Sequence, residues 1–101
     1  MIVYNVTTKV IHAVAADWLN WLKTEHIPDL VNTGCFTHAV ILHLTEADDE
    51  EGITYAVQYH AESQALYNRY MDKFAVEMRK KALDKWGDRA ISFRTLMRLV
   101  H

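Results

Sequence analysis

Two apolar runs, FTHAVILHLT at residues 36–45 and ITYAVQYHA at residues 53–61, flank the acidic link EADDEEG at residues 46–52. Runs of this length that are rich in β-branched and aromatic residues are typical of strands. A short polar link between two such strands predicts an antiparallel hairpin, and charges in the link oppose edge-to-edge aggregation. This hairpin supplies two adjacent strands of the sheet, and the segments on either side of it must supply the remaining strands.

The faces of the hairpin follow from the alternation of its side chains. Val40 and Leu42 lie on the more apolar side of the first run, and Val57 and Tyr59 lie on one side of the second run. Directly opposed residues share a face, so these two sides should meet, with Val40 opposite Val57 or Tyr59. The predicted register leaves Ile41 on the other face.

The remaining segments complete a β-α-β-β-α-β order, with strands predicted at residues 2–10 and 90–100 and helices at residues 14–27 and 64–85. Pro28 disfavours helical geometry in the preceding residue and should end the first helix. Ser63 is a suitable N-cap for the second helix, and Gly87 can end it. We therefore predict an α+β, ferredoxin-like domain with an antiparallel sheet in the order 4-1-3-2 and both helices on one face.

Length and composition describe one small domain. A chain of 101 residues has room for a single core, so residues 1–101 are predicted as one domain. The single cysteine excludes an internal disulfide and fits a reducing compartment. We find no signal-peptide pattern and no apolar run of ~20 residues, so a cytoplasmic protein without membrane contact is expected. The net charge of −2 argues against nucleic acid as a partner.

The sheet face away from the helices is predicted to be semi-polar. It would carry Val3, Ile41, Ala56 and Leu96, which are too apolar for a face in water. A second sheet packed against it would cover these side chains. The sequence therefore predicts a homodimer in which two sheets face each other.

Asn5, Gln58 and Arg94 would come from three neighbouring strands and point into that dimer interior. They could form a hydrogen-bonded network that fixes the interface register. They could also form a pocket in which Arg94 holds an anionic or carbonyl-bearing small molecule. A buried arginine needs a partner, and no acidic residue is placed on that face, so Arg94 is the main candidate for ligand binding.

His26 is the candidate catalytic residue. Placed just before Pro28, its side chain could cap a free carbonyl at the helix end. Alternatively, a neutral imidazole beside a cleft could act as a general base. No metal site and no cofactor are expected: His38 is placed opposite His43 and His60 across the sheet, and these last two are separated by more than ~10 Å.

Several segments resemble an uncharacterised domain-of-unknown-function family of small bacterial proteins: MIVYNVT (1–7), EHIPDL (25–30), GCF (34–36), YAVQY (55–59) and KWGDR (85–89). The chain is more distantly similar to the dimeric α/β-barrel superfamily, whose members include cofactor-free monooxygenases, haem-degrading enzymes and small-molecule binders. That resemblance implies two ferredoxin-like sheets packed face to face. It also implies that His26 and Trp21, in WLKTEHIP (21–28), border a cleft.

Three functions stay open at this point. The first is a homodimer that binds a small molecule or another protein. The second is a cofactor-independent enzyme, monooxygenase- or isomerase-like, acting on a small aromatic or carbonyl substrate with His26 as base and Trp21 as a wall. The third is a purely structural or regulatory dimer. An enzyme should have a cleft that reaches His26, and a binder should have its pocket around Arg94.

Overall fold

The computed structural model describes residues 1–101 as an α+β domain built on one four-stranded antiparallel sheet. From edge to edge the strands run β2-β3-β1-β4, which is 4-1-3-2 when counted from the β4 edge. Their bounds are Ile2–Ile11 for β1, His38–His43 for β2, Gly52–Ala61 for β3 and Ala90–Arg98 for β4.

The first helical region continues through Pro28, where the sequence predicted an end. It comprises α1 (Ala15–Trp21), a π-helical turn (Leu22–His26) and α2 (Ile27–Val31). Proline has no N–H for the ordinary helical hydrogen bond, and its ring crowds the carbonyl one turn earlier. A π turn, which is wider than an α-helical turn, ends two residues before Pro28 and lets the helical region continue through the proline.

The second helical region is divided into α3 (Gln64–Lys73) and α4 (Ala75–Trp86), where one long helix was predicted. Phe74 has a φ of −127° at the junction. Its N–H still donates to Tyr70 at 2.9 Å, and its carbonyl accepts from Met78 at 3.1 Å, so the region is bent without being broken. The Ser63 hydroxyl accepts from the Leu66 N–H at 3.2 Å, which confirms the predicted cap.

The register of the hairpin differs by one residue from either predicted register. Ile41 pairs with Val57 and Ala39 with Tyr59, so Ile41 faces the helices. Val40 and Leu42 lie on the opposite face and are 39% and 44% exposed. Prediction failed because β2 is an edge strand whose two faces are both apolar, so hydrophobicity does not identify the helix-packed side.

The faces of β4 are also reversed relative to the prediction. Arg94 pairs with Val6 and Leu96 with Tyr4, which places both on the face that packs against the helices. Phe93 lies on the other face and is 64% exposed. The more apolar side of β4 is therefore the side without helices.

The core lies between the sheet and all the helical regions, which cover the same sheet face. Tyr4 and Tyr59 from the sheet pack with Trp18, Leu22 and Tyr70 from the helices in one buried cluster. We call the opposite side of the sheet the open face; its residues include Val3, Asn5 and Thr7 of β1, Val40 and Leu42 of β2, Ala56 and Gln58 of β3, and Ile91, Phe93 and Met97 of β4. None of the helices has the length and apolar character needed to cross a bilayer.

Candidate functional site

A cavity of about 460 Å³ lies between the helix-packed sheet face and the helices. Its floor is formed by β1, β3 and β4, and its walls by the first helical region and by α4. Most of its lining is apolar, with aromatic walls from Trp18, Trp21 and Trp86. Pockets of this size and character are those in which proteins bind small molecules.

Two arginines meet one tyrosine at the first end of the cavity. Arg94 donates from Nε to the Tyr4 hydroxyl at 3.0 Å, and Arg79 donates from an Nη atom to the same oxygen at 3.2 Å. All three residues line the cavity. Arg94 is largely exposed, whereas Arg79 is half-buried. We call Tyr4, Arg79 and Arg94 the cationic end.

The positive charge of the cationic end has no negative partner within the chain. Neither Arg79 nor Arg94 forms an ion pair with a carboxylate. Burial raises the pKa values of Tyr59 and Tyr70, so these phenols stay neutral at physiological pH. Arg79 Nε is also buried without a hydrogen-bond acceptor. Guanidinium groups keep their charge in proteins, so the site has a net positive potential.

The opposite end of the cavity carries hydroxyl and carboxylate oxygens. The Thr8 and Ser92 hydroxyls lie 2.7 Å apart across β1 and β4. Asp88 lies in the turn that precedes β4, lines the cavity and pairs with no cation. We call Thr8, Ser92 and Asp88 the hydroxyl end. The cavity is therefore polarised along its length.

His26 and Trp21 form part of the cavity wall, in agreement with the expectation that they border a cleft. The two rings stack with centroids 4.6 Å apart and planes 20° apart. Burial lowers the pKa of His26 to about 4, with a smaller contribution from Arg94, while Asp29 acts in the opposite direction. The imidazole is consequently neutral at pH 7.

The predicted capping role of His26 is wrong. Its side chain makes no capping hydrogen bond, and the helical region continues past Pro28 to Val31 instead of ending beside it. The ring lies between the cavity and a shallow outer groove lined by Lys81, Lys85 and Asp84. His26 thus separates the interior space from the surface.

The structure divides the predicted ligand constellation between two sheet faces. Arg94 lies in the cavity, whereas Asn5 and Gln58 face each other on the open face. Asn5 donates to the Thr7 hydroxyl at 2.9 Å, and its own side-chain oxygen is buried without a partner. The prediction that Arg94 lies on the non-helical face is therefore wrong, and it joins His26 and Trp21 instead.

The histidine placement predicted from the sequence needs a similar correction. His38 and His60 are paired on the open face with ring centroids 4.4 Å apart, and His43 lies on the helix side. The one-residue shift of the hairpin register accounts for the exchange. No three side chains of the types that bind metals converge in the structure.

Sequence reasoning missed Tyr4, Arg79 and Trp86 as site residues. The signal for Arg79 was its spacing: Ala82 follows three residues later and Trp86 seven residues later, so all three lie on one side of a helix. Tyr4 lies on the helix-packed face, where a tyrosine is usually interpreted as part of the core. Its role becomes visible only when two arginines from distant segments reach its hydroxyl.

Comparison with known proteins identifies a family for the chain but does not indicate an activity. A family model described as a domain of unknown function (DUF4286) matches residues 1–100. No curated protein matches the chain.

Proposed function

The chain belongs to the DUF4286 family, a domain of unknown function, and we propose that it binds a small aromatic or apolar carboxylate in the helix-covered cavity. The observation that supports this proposal is the cationic end, where two unpaired guanidinium groups meet the Tyr4 hydroxyl beside an aromatic space. A carboxylate placed there would supply the missing negative charge.

The electrostatic reason is the mutual repulsion of the two arginines. Their donating nitrogens are at most roughly 6 Å apart, which corresponds to about 3 kcal/mol of repulsion at an effective dielectric constant near 20, before screening by solvent around Arg94. A bound anion converts this repulsion into two charge-assisted attractions.

Tyr4 adds a directional hydrogen bond to the proposed site. Its hydroxyl oxygen already accepts from Arg79 and Arg94, which uses its two lone pairs. The remaining capacity of the group is its own proton. That proton can donate to a carboxylate oxygen, so all three residues of the cationic end offer donors to an anion.

The walls of the cavity select for an apolar ligand body. A volume of about 460 Å³ accommodates an aromatic acid, and Trp18, Trp21 and Trp86 offer ring faces and edges. Inorganic anions would fill the cationic end but would leave this apolar surface uncovered. An aromatic carboxylate uses both features.

A cofactor-independent enzyme remains the second candidate, because His26 lines the same cavity. A neutral imidazole can accept a proton from a bound substrate. However, a general base works best when its pKa is near the operating pH, and the pKa of His26 is lowered to about 4. Binding is therefore placed first, with His26 and Trp21 as the wall of the ligand site.

We further propose that the protein is a homodimer, of the face-to-face ferredoxin-like kind implied by the family resemblance, which uses the open face. Ile91 and Phe93 of β4 are 67% and 64% exposed on this face, and Val40 and Leu42 of β2, at the other edge of the sheet, are 39% and 44% exposed. On the same face the side-chain oxygen of Asn5, which lies between Gln58 and Thr95 on the neighbouring strands, is buried without a donor. A second copy would cover the apolar side chains and could supply that donor.

Titration calorimetry with phenylacetate tests the binding proposal, and phenylacetamide is the matched neutral probe. We expect phenylacetate to bind at least tenfold more tightly than phenylacetamide. We also expect Arg94→Gln to remove the difference. The control is Arg98→Gln, because Arg98 lies on the same strand and does not line the cavity. Equal affinity for the acid and the amide would refute the proposal.

A further inference from the structure

We infer that the ligand carries a hydroxyl group at the end remote from its carboxylate, as a para-hydroxylated aromatic acid does. The inference rests on the proposed function, because it assumes that the carboxylate lies at the cationic end. It is carried by a separate observation, the oxygen-rich chemistry of the hydroxyl end.

The hydroxyl end is suited to a group that both donates and accepts. Thr8 and Ser92 share one hydrogen bond at 2.7 Å, in which either hydroxyl can be the donor. The proton that this pair does not use is available to a ligand oxygen. Asp88 accepts only, and it has no cation within ion-pair distance. A ligand hydroxyl can donate to Asp88 and accept from Ser92.

The spacing of the two ends fits a single aromatic ring with para substituents. Ser92 and Arg94 are two residues apart on β4, and Tyr4 and Thr8 are four residues apart on β1. At ~3.3 Å per residue, the polar groups are separated by roughly 7–13 Å along the strands. The upper part of this range accommodates an aromatic ring with para substituents and a hydrogen bond at each end.

Local charge favours a hydroxyl over an ammonium group at this end. The Lys85 ammonium and the Arg89 guanidinium each lie 5.5 Å from the centre of the Trp86 ring, which lines the cavity. Arg89 directly follows Asp88 in the chain, so these cations would weaken the attraction of Asp88 for a positively charged ligand group. A second carboxylate would be repelled by Asp88 itself. A neutral donor meets neither penalty.

Calorimetric titration of the full-length protein with a matched series tests the inference. The probes are phenylacetate, 4-hydroxyphenylacetate, 4-methoxyphenylacetate, which keeps the oxygen but cannot donate, and 4-(aminomethyl)phenylacetate, which carries an ammonium group. We expect the hydroxyl compound to bind about tenfold more tightly than the other three, the gain of one hydrogen bond to a charged acceptor.

Variants locate the effect at the hydroxyl end. Asp88→Ala and Ser92→Ala should reduce the advantage of the hydroxyl compound over phenylacetate to about twofold. Asp84→Ala is the control, because Asp84 is exposed, pairs with Lys80 and does not line the cavity. Full retention of the advantage in both variants would overturn the inference.

The series also separates this inference from the proposed function. If phenylacetate binds and the hydroxyl compound binds no better, only the inference fails. If the ammonium compound binds more tightly than the hydroxyl compound, the site prefers a cation to a hydroxyl group. That result would overturn the inference and leave the proposed function standing. If none of the four acids binds, the proposed function fails and the inference fails with it.

Discussion

Arg79 on α4 and Arg94 on β4 donate hydrogen bonds to the same atom, the hydroxyl oxygen of Tyr4. One phenol therefore joins a helix, an edge strand and the central strand β1. An anion bound there would bridge the same elements, so ligand binding and folding stability are linked. At a ligand concentration 100 times Kd, phenylacetate should add about 2.7 kcal/mol to the free energy of unfolding.

Arg79→Met should weaken phenylacetate binding at least tenfold and leave folding intact. The change removes the positive charge that repels Arg94. It also removes Arg79 Nε, a buried donor without an acceptor. We therefore expect the free energy of unfolding to stay constant or to rise by about 1 kcal/mol. Urea denaturation and calorimetry measure the two quantities, with Arg98→Met as the control. A large loss of stability together with unchanged binding would show that Arg79 is structural.

Tyr4→Phe should destabilise the protein by about 1–3 kcal/mol, because it removes the acceptor shared by two cationic donors. The aromatic packing of the ring with Phe36 and Tyr70 is kept. The same variant should bind phenylacetate more weakly. Tyr67→Phe provides a matched control that removes a phenol from another position. An unfolding midpoint equal to that of the unchanged protein would contradict the shared-acceptor role.

His26 should make stability depend on pH between about 4 and 6.5. Its native pKa of about 4 lies below its ordinary value of 6.5, so in this range the unfolded chain binds more protons than the native chain. The contribution is present in full above pH 6.5 and is lost as the pH falls to about 4. It amounts to at most about 3 kcal/mol, reduced by the partial exposure of the ring.

His26→Gln should flatten that dependence. Urea midpoints measured at pH 4.5 and pH 7 should differ less in the variant than in the unchanged protein. Loss of the stack on Trp21 lowers stability at both pH values alike, so the slope is the informative quantity. Equal slopes would mean that His26 titrates normally in the native state.

Phe93→Lys should convert the proposed dimer to a monomer. Phe93 lies on the open face, where a buried ammonium group would face apolar surface. Val76→Lys is the control, because Val76 is 81% exposed on α4, away from that face. Sedimentation at micromolar concentration should give twice 11.8 kDa for the unchanged protein and the control. A single 11.8 kDa species for the unchanged protein would exclude the dimer.

The order of the elements could be predicted because strand and helix periods are distinct along most of the chain. The faces of β1 and β3 were also predictable, since Tyr4, Val57 and Tyr59 are larger and more apolar as a set than Asn5, Gln58 and His60 on the alternate positions. The edge strands behaved differently. On β4, Phe93 and Arg94 occupy the faces opposite to those that hydrophobicity indicates, because helices cover an edge strand only in part.

Individual residues of the candidate site could be predicted from the sequence, but their arrangement could not. Trp21 and His26 were placed beside a cleft, and Arg94 was singled out as an arginine in need of a partner. The sequence could not show that these three residues lie together. The apolar residues of β4 alternate in a way that indicates the wrong sheet face for Arg94. In the sequence, Arg79 looks like a residue on the solvated side of α4. Only the packing of α4 against the sheet shows that Arg79 reaches Tyr4.

A crystal structure of the phenylacetate complex would show whether the carboxylate lies at the cationic end. We expect density for the ring among Trp18, Trp21 and Trp86, with a carboxylate oxygen within hydrogen-bond distance of Arg79, Arg94 and the Tyr4 hydroxyl. Phenylacetate bound on the open face, or in the cavity with its carboxylate turned away from both arginines, would contradict this expectation.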